Sequence, residues 1–217
     1  MTLAARGPRQ VDIGGWWGIV FAIGLLVSGG MVSLPTAAVS GDDIQAFYRA
    51  HRQIIVIQQM VGVALLVPLL AFARTLDRRS RQRDTRSGGW VMLPALAVAA
   101  AELATNSLAL VLALSAEPGA GTAHTLTFAL DLADAALFAT MALFSFVAAA
   151  GEWWAVRGLG VLAAALTLAR AFAGPLGLTF LDTLAPTAFL VYVLVLSTRT
   201  IMIDRTRGAA DRQPTTA

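Results

Sequence analysis

Acidic and polar side chains interrupt the apolar stretches of this chain. An ionisable side chain near the centre of a lipid bilayer costs about 2.5–3.5 kcal/mol, so each is a candidate for function. They comprise five carboxylates, one amide and one guanidinium: Glu102, Asn106, Glu117 (in a loop), Asp131, Asp134, Arg170 and Asp182. These residue types indicate proton transfer, or recognition of a polar group, inside a membrane.

Four polar residues recur at intervals that place them on one helix face. The intervals are three, four and three residues, and the residues are His124, Thr127, Asp131 and Asp134. Glu102 and Asn106 are four residues apart and also share a face. Two carboxylates one turn apart in a low dielectric cannot both ionise cheaply. We therefore expect one of them to act as a general acid or a proton-binding site.

The segments that position these residues read as membrane spans. The chain is 57% hydrophobic and only 13% charged, whereas a soluble domain has about 25% charged residues. Blocks of about 20 apolar residues are long enough to cross the hydrocarbon core. We predict an all-α, polytopic membrane helix bundle with six spans, at 15–37, 53–73, 90–114, 124–150, 158–174 and 180–200. All five tryptophans lie at block edges, where indole rings favour the membrane–water interface.

The distribution of arginine predicts the orientation. Thirteen arginines fall on one side of the predicted spans, including six in 74–86, and two, Arg49 and Arg52, fall on the other. The positive-inside rule then places both termini and the 74–89 loop in the cytoplasm, in the cell membrane. We predict one transmembrane domain, 1–204, and a disordered cytoplasmic tail, 205–217. An alternative is that the first span is a signal peptide, cleaved near residues 36–38.

Consecutive spans cross the membrane in opposite directions, which places the polar residues at a common depth. Asn106 and Asp131 fall at similar depths, and Glu102 and Asp134 lie somewhat deeper. All fall in the outer half of the bilayer, and the inner halves of the spans are nearly free of charge. This asymmetry predicts a pocket that opens toward the extracytoplasmic face and is closed below by apolar packing.

Other signals are less specific. Asp131 and Asp134 have the spacing of a magnesium–diphosphate motif, and His51 and His124 with the acids are candidates for a divalent metal. Residues 48–52 form either an anion clamp or the solvated lip of the second span. We predict no metal and no cofactor. The absence of cysteine excludes thiolate nucleophiles and disulfides.

The chain as a whole resembles the small six-span membrane proteins that are common in actinobacteria. The features that carry the resemblance are an acidic and aromatic outer loop, a polar pair in the second span and a break before the fifth: Gly41–Ile44, Phe47–Arg52, Gln58–Gln59 and Glu152–Trp154. Some small membrane proteins of this type are non-canonical terpene cyclases. The resemblance implies intramembrane carboxylates that protonate an alkene of a prenylated substrate.

Two classes of function compete. In the first, a membrane enzyme cyclises an isoprenoid with Asp131 or Asp134 as the acid and Glu102 as its partner or the final base. The predicted substrate-binding residues are Gln58, Gln59, Asn106, Thr127 and Arg170. In the second, a proton-linked transporter or exporter uses the same acids to carry protons; a structural membrane subunit is a third alternative.

The same residues also have a structural interpretation. Intramembrane polar groups hold helices together, so Asp131 or Glu102 would pair with Arg170 or be capped by Asn106. Arg170 and Asp182 can also extend independently to the interface. The predicted partners are the lipid bilayer and a lipophilic small molecule, not nucleic acid, and the sequence does not predict an oligomeric state.

Overall fold

The computed structural model describes residues 13–82, 90–115, 119–174 and 180–210. Within these ranges the chain forms six helices and no strand, which confirms the predicted all-α bundle. The helices are α1 Gly14–Gly29, α2 Gly41–Gln82, α3 Met92–Leu114, α4 Ala120–Ala149, α5 Trp154–Ala173 and α6 Leu181–Ala210. Five of them, α2 to α6, are long and apolar enough to cross a membrane, and α1 is a shorter apolar helix.

Helix α1 is shorter than the predicted span 15–37. It has 16 residues, which at 1.5 Å per residue extend about 24 Å, less than the ~30 Å hydrocarbon core. The adjacent Gly29 and Gly30 weaken the helix at this point, and Pro35 disfavours helix for the residue before it. Most of 31–40 is therefore non-helical, and the prediction that the span continues to 37 was wrong.

Helix α2 begins twelve residues earlier than predicted, so the expected outer loop at 41–52 is helical. The Ser40 hydroxyl accepts a hydrogen bond from the Asp43 backbone N–H at 3.3 Å and donates one to the Asp43 carboxylate at 2.6 Å. This arrangement resembles a capping box, and Asp42 and Asp43 also favour the positive end of the helix dipole. The helix continues to Gln82 at its other end, nine residues beyond the predicted span.

The helices form a closed ring in chain order. Each helix contacts its neighbours in the chain, α6 returns to α1, and α4 also contacts α2 and, less extensively, α6. Helix α4 therefore lies toward the centre of the bundle. We call the end where α1 stops and α2 begins the 31–40 end, and the opposite end the Arg-rich end.

The Arg-rich end is held together by ion pairs. Arg79 on α2 pairs with Asp204 on α6 and donates to the Thr200 carbonyl at 2.9 Å. Arg199 on α6 lies 3.1 Å from the Glu152 carboxylate, in the turn between α4 and α5. These contacts hold α2, α6 and the turn between α4 and α5 together at this end.

Helix α6 continues to Ala210 and so overlaps the first six residues of the predicted tail. Glu117 and the arginines at 6, 9, 83, 86 and 212 lie outside the described residues, as does 211–217.

Candidate functional site

A cavity of about 570 Å³ lies inside the bundle, toward the 31–40 end. Five of the six helices contribute to its wall: α1, α2, α3, α4 and α6. Most of the wall is apolar, including Phe21, Leu25, Leu65, Leu69, Phe138 and Met141. A volume of this size and an apolar wall are typical of small-molecule sites in proteins.

Three carboxylates from three helices reach this cavity. They are Glu102 on α3, Asp134 on α4 and Asp182 at the start of α6. The sequence predicted that Glu102 shares a cavity with Asp131 or Asp134, and the structure brings Asp134 to it. Asp182 was expected at the membrane interface, and its place on the cavity wall is new. One end of an otherwise apolar cavity is therefore acidic.

Glu102 is held by an amide. The Asn106 side-chain amide donates a hydrogen bond to Glu102 Oε1 at 3.2 Å, one helical turn along α3. Both side chains pack against Gly62 on α2, where an added Cβ would lie 2.9 Å from Asn106 Nδ2 and 3.1 Å from Glu102 Oε1. Glycine at 62 thus permits the close approach of α2 to this pair. Asn106 positions the carboxylate and is not itself among the residues that line the cavity.

Asp134 and Asp182 share one guanidinium. Arg170 Nη2 lies 3.2 Å from Asp134 Oδ2, and its Nε lies 2.5 Å from Asp182 Oδ1. The guanidinium carbon also lies 5.0 Å from the centre of the Phe138 ring, a cation–π distance. Arg170 therefore joins α4, α5 and α6. Arg170 pairs neither with Asp131 nor with Glu102, the two partners considered from the sequence, and it does not extend independently to the interface.

Asp131, predicted as a catalytic acid, has a different position from Asp134. Its carboxylate accepts a hydrogen bond from the Ala37 N–H at 2.8 Å, and His124 Nε2 lies 2.9 Å from the Ala37 carbonyl. Asp131 and His124 thus fix the non-helical segment 31–40 to α4. Asp131 is not among the residues that line the cavity.

The other predicted substrate-binding residues pack between helices. Gln58 donates to the carbonyls of Ser28 at 2.9 Å and Val32 at 3.1 Å, and so holds the end of α1. Gln59 and Thr127 are buried, and none of the three residues lines the cavity. Of the three, Gln58 has a visible structural role, because its amide holds the end of α1 and the start of segment 31–40 to α2.

Residues 48–52 lie at the surface, except for the buried Tyr48. The His51 ring stacks on Phe47 at 4.4 Å, and its Nδ1 lies 3.0 Å from the Phe47 carbonyl. His51 is exposed, in keeping with its interpretation as part of a helix lip. Among the described residues there is no group of three or more His, Asp or Glu side chains arranged to hold a metal ion.

The sequence did not single out Gly62, and it marked Asp182 as a candidate without placing it in the cavity. Gly62 and Asp182 belong to the site only because α2 and α6 face the centre of the ring. The signals available in the sequence were a glycine three residues after Gln59 and an acid in the first turn of α6.

No protein-family model, curated protein or solved structure matches this chain. Function is therefore inferred from the chemistry of the cavity wall.

Proposed function

We propose that this protein binds a lipophilic molecule in the acid-lined cavity and protonates it, with Glu102 as the acid. The observation that carries the proposal is the cavity itself: about 570 Å³, an apolar wall and three carboxylates at one end. An apolar wall favours a hydrocarbon body, and a cluster of acids in a low dielectric favours proton transfer. The best candidate reaction is the cyclisation of an isoprenoid.

The contacts divide the roles among the acids. Asp134 is paired with a guanidinium, which favours its charged form more than the neutral surroundings of Glu102 favour the charged form of that acid. Glu102 accepts its hydrogen bond from the neutral amide of Asn106. We therefore assign the proton to Glu102 and the fixed negative charge to Asp134 and Asp182. Asp131 has no place in this mechanism.

The reaction needs no cofactor. The O–H bond of Glu102 breaks as a C–H bond forms at one alkene carbon, which leaves a cation on the neighbouring carbon. A second alkene of the same molecule attacks this cation and closes a ring. The resulting cation loses a proton to the Glu102 carboxylate, so the product is an isomer of the substrate. The carboxylates at one end of the cavity stabilise the cation.

The apolar packing on the Arg-rich side of the cavity favours an enzyme over a transporter. The wall residue Phe21 and the buried Phe144 both pack edge to face with Phe189, with ring centres 6.3–6.4 Å apart. Alternating access requires a route through both halves of the bundle. The positive-inside rule places the acidic end of the cavity toward the extracytoplasmic side of the cell membrane, with both termini in the cytoplasm.

The test is product formation in membranes that contain the protein. Membranes are supplied with neutral prenylated alkenes, and extracts are searched for isomers by mass spectrometry. We expect Glu102→Gln to reduce product by about 10²–10⁴-fold, the contribution of a positioned acid. The matched control is Glu152→Gln, which makes the same change in the ion pair at the Arg-rich end and should retain activity at equal protein level. Equal activity of the wild type and Glu102→Gln would exclude the acid role.

A further inference from the structure

The two helices that close the ring, α1 and α6, meet tightly at the Arg-rich end. A Cβ added at Gly15 would collide with Ile201, and one at Gly18 would collide with Ser197. Phe21 and Phe189 then pack edge to face, 6.4 Å apart. Small residues permit such close contact between helices in membranes. The α1–α6 seam is therefore closed in this half.

The same seam is open beside the cavity. Leu26 and Gly29 on α1, and Thr183 and Thr187 on α6, line the cavity and are also exposed on the outside of the bundle. Leu26 is 65% exposed, whereas Leu69, on the opposite wall, is 1% exposed. Residues that face both the cavity and the exterior mark an opening, which we call the α1–α6 window.

The surroundings of the window are apolar. Ile23 and Val27 on α1, and Leu184 and Val191 on α6, are exposed large hydrophobic side chains. Such side chains on a membrane helix face lipid. Helix α1 extends only about 24 Å, so it ends within a bilayer of ordinary thickness. The flanks of the window are therefore suited to contact with the hydrocarbon of a surrounding bilayer.

Segment 31–40 lies beside the cavity, where its Ser33 and the preceding Gly30 are also exposed wall residues, so the opening extends to the 31–40 end. Its Ala37 is fixed to α4 by Asp131 and His124. Val32 and Leu34 pack against an apolar cluster that includes Ile44 and Ile55. These contacts connect α1 to α4 across the 31–40 end, and leave the side between α1 and α6 open.

We propose that the ligand enters the cavity sideways from the bilayer through the α1–α6 window and is a neutral lipophile. This inference rests on the proposed function of the cavity as a lipophile-binding site. The wall carries three carboxylates, and among the described residues that line it there is no arginine, lysine or histidine. Arg170 offsets one of the two charges of Asp134 and Asp182, so one net negative charge remains and would repel an anionic head group, such as a diphosphate or a carboxylate, in a low dielectric.

Two glycines provide a matched test. Nothing lies within 4 Å of a Cβ added at Gly29, in the window, or at Gly158, on the exposed face of α5. Tryptophan can therefore be accommodated at either position, but at 29 it would obstruct the window. The protein is reconstituted in liposomes, and a diazirine-bearing prenyl alcohol is then added. Samples are illuminated briefly at increasing times after the addition, and labelling of the cavity segments 62–69 and 134–141 is measured by mass spectrometry.

We expect Gly29→Trp to slow labelling of these segments by about tenfold, equivalent to about 1.4 kcal/mol in the barrier to entry. Gly158→Trp should label at the wild-type rate. Thr187→Trp, on the other side of the window, should repeat the effect of Gly29→Trp.

The outcomes separate the two proposals. If the wild-type cavity is labelled and both window variants are labelled as fast as the wild type, entry through the window is refuted and the binding function stands. Equal slowing in Gly158→Trp would also overturn the window, because the effect would not depend on position. If the wild-type cavity takes no label, the proposed function fails and the window fails with it. A diazirine-bearing prenyl diphosphate should label the cavity poorly, and equal labelling would refute the charge selection.

Discussion

Arg170 is expected to be the residue on which the stability of the 31–40 end most depends. Its side chain is 14% exposed, and the guanidinium contacts the carboxylates of Asp134 and Asp182. Replacement by glutamine would leave two neighbouring acids without their cation. Removing one partner of a buried pair costs about 3–5 kcal/mol. Asp182 is 43% exposed, so water recovers part of this cost and we expect about 3 kcal/mol, the lower end of that range.

The assay is reversible unfolding of purified protein in mixed micelles, with the free energy obtained from a denaturant titration. Asp134→Asn in the Arg170→Gln background removes one of the unpaired acids and should recover part of the loss. Arg157→Gln is the control, because Arg157 is an exposed arginine in the first turn of the same helix. The reasoning is refuted if Arg170→Gln unfolds with the free energy of the control, or if the second substitution deepens the loss.

Three further results are expected. Gly62→Ala should cost about 1–3 kcal/mol by overpacking, and should lower activity by displacing Glu102; Gly121→Ala, where a Cβ meets nothing within 4 Å, should change neither quantity. Gln58→Ala removes the side-chain donor that the Ser28 and Val32 carbonyls share, so proteolysis within 31–40 should accelerate while the helical content stays constant. Arg81→Cys, in a chain without cysteine, should resist an impermeant maleimide added to intact cells and react after lysis; labelling from outside would reverse the predicted orientation.

The fold class and the acid cluster followed from composition and helical spacing, but the helix ends did not. Local signals compete there with long apolar runs. The hydropathy of 31–37 suggested a continuing span, yet two glycines and a proline end α1 earlier. Ser40 and Asp43 cap α2 within a segment that the charge pattern indicated as a loop.

Asp131 and Asp134 have different surroundings because the residues that pack beside them come from distant parts of the sequence. Asp131 and Asp134 are three residues apart, but the angular difference between them turns one toward Ala37 and the other toward the cavity and Arg170. Helical spacing placed both on one stripe and could not tell which helix or segment packs beside each. The position of Asp182 was unpredictable for the same reason, because its guanidinium partner, Arg170, comes from a different helix, α5.

Deuterium incorporation tests the central claim most directly. Protein reconstituted in D₂O exchanges the proton of the Glu102 carboxyl, so each turnover should place one deuterium on carbon. With a neutral prenylated alkene, the wild type should yield an isomer one mass unit heavier than the product formed in H₂O, and Glu102→Gln should yield none. Acid catalysis at Glu102 would be contradicted by a ligand that labels the wild-type cavity but is recovered unchanged and free of deuterium.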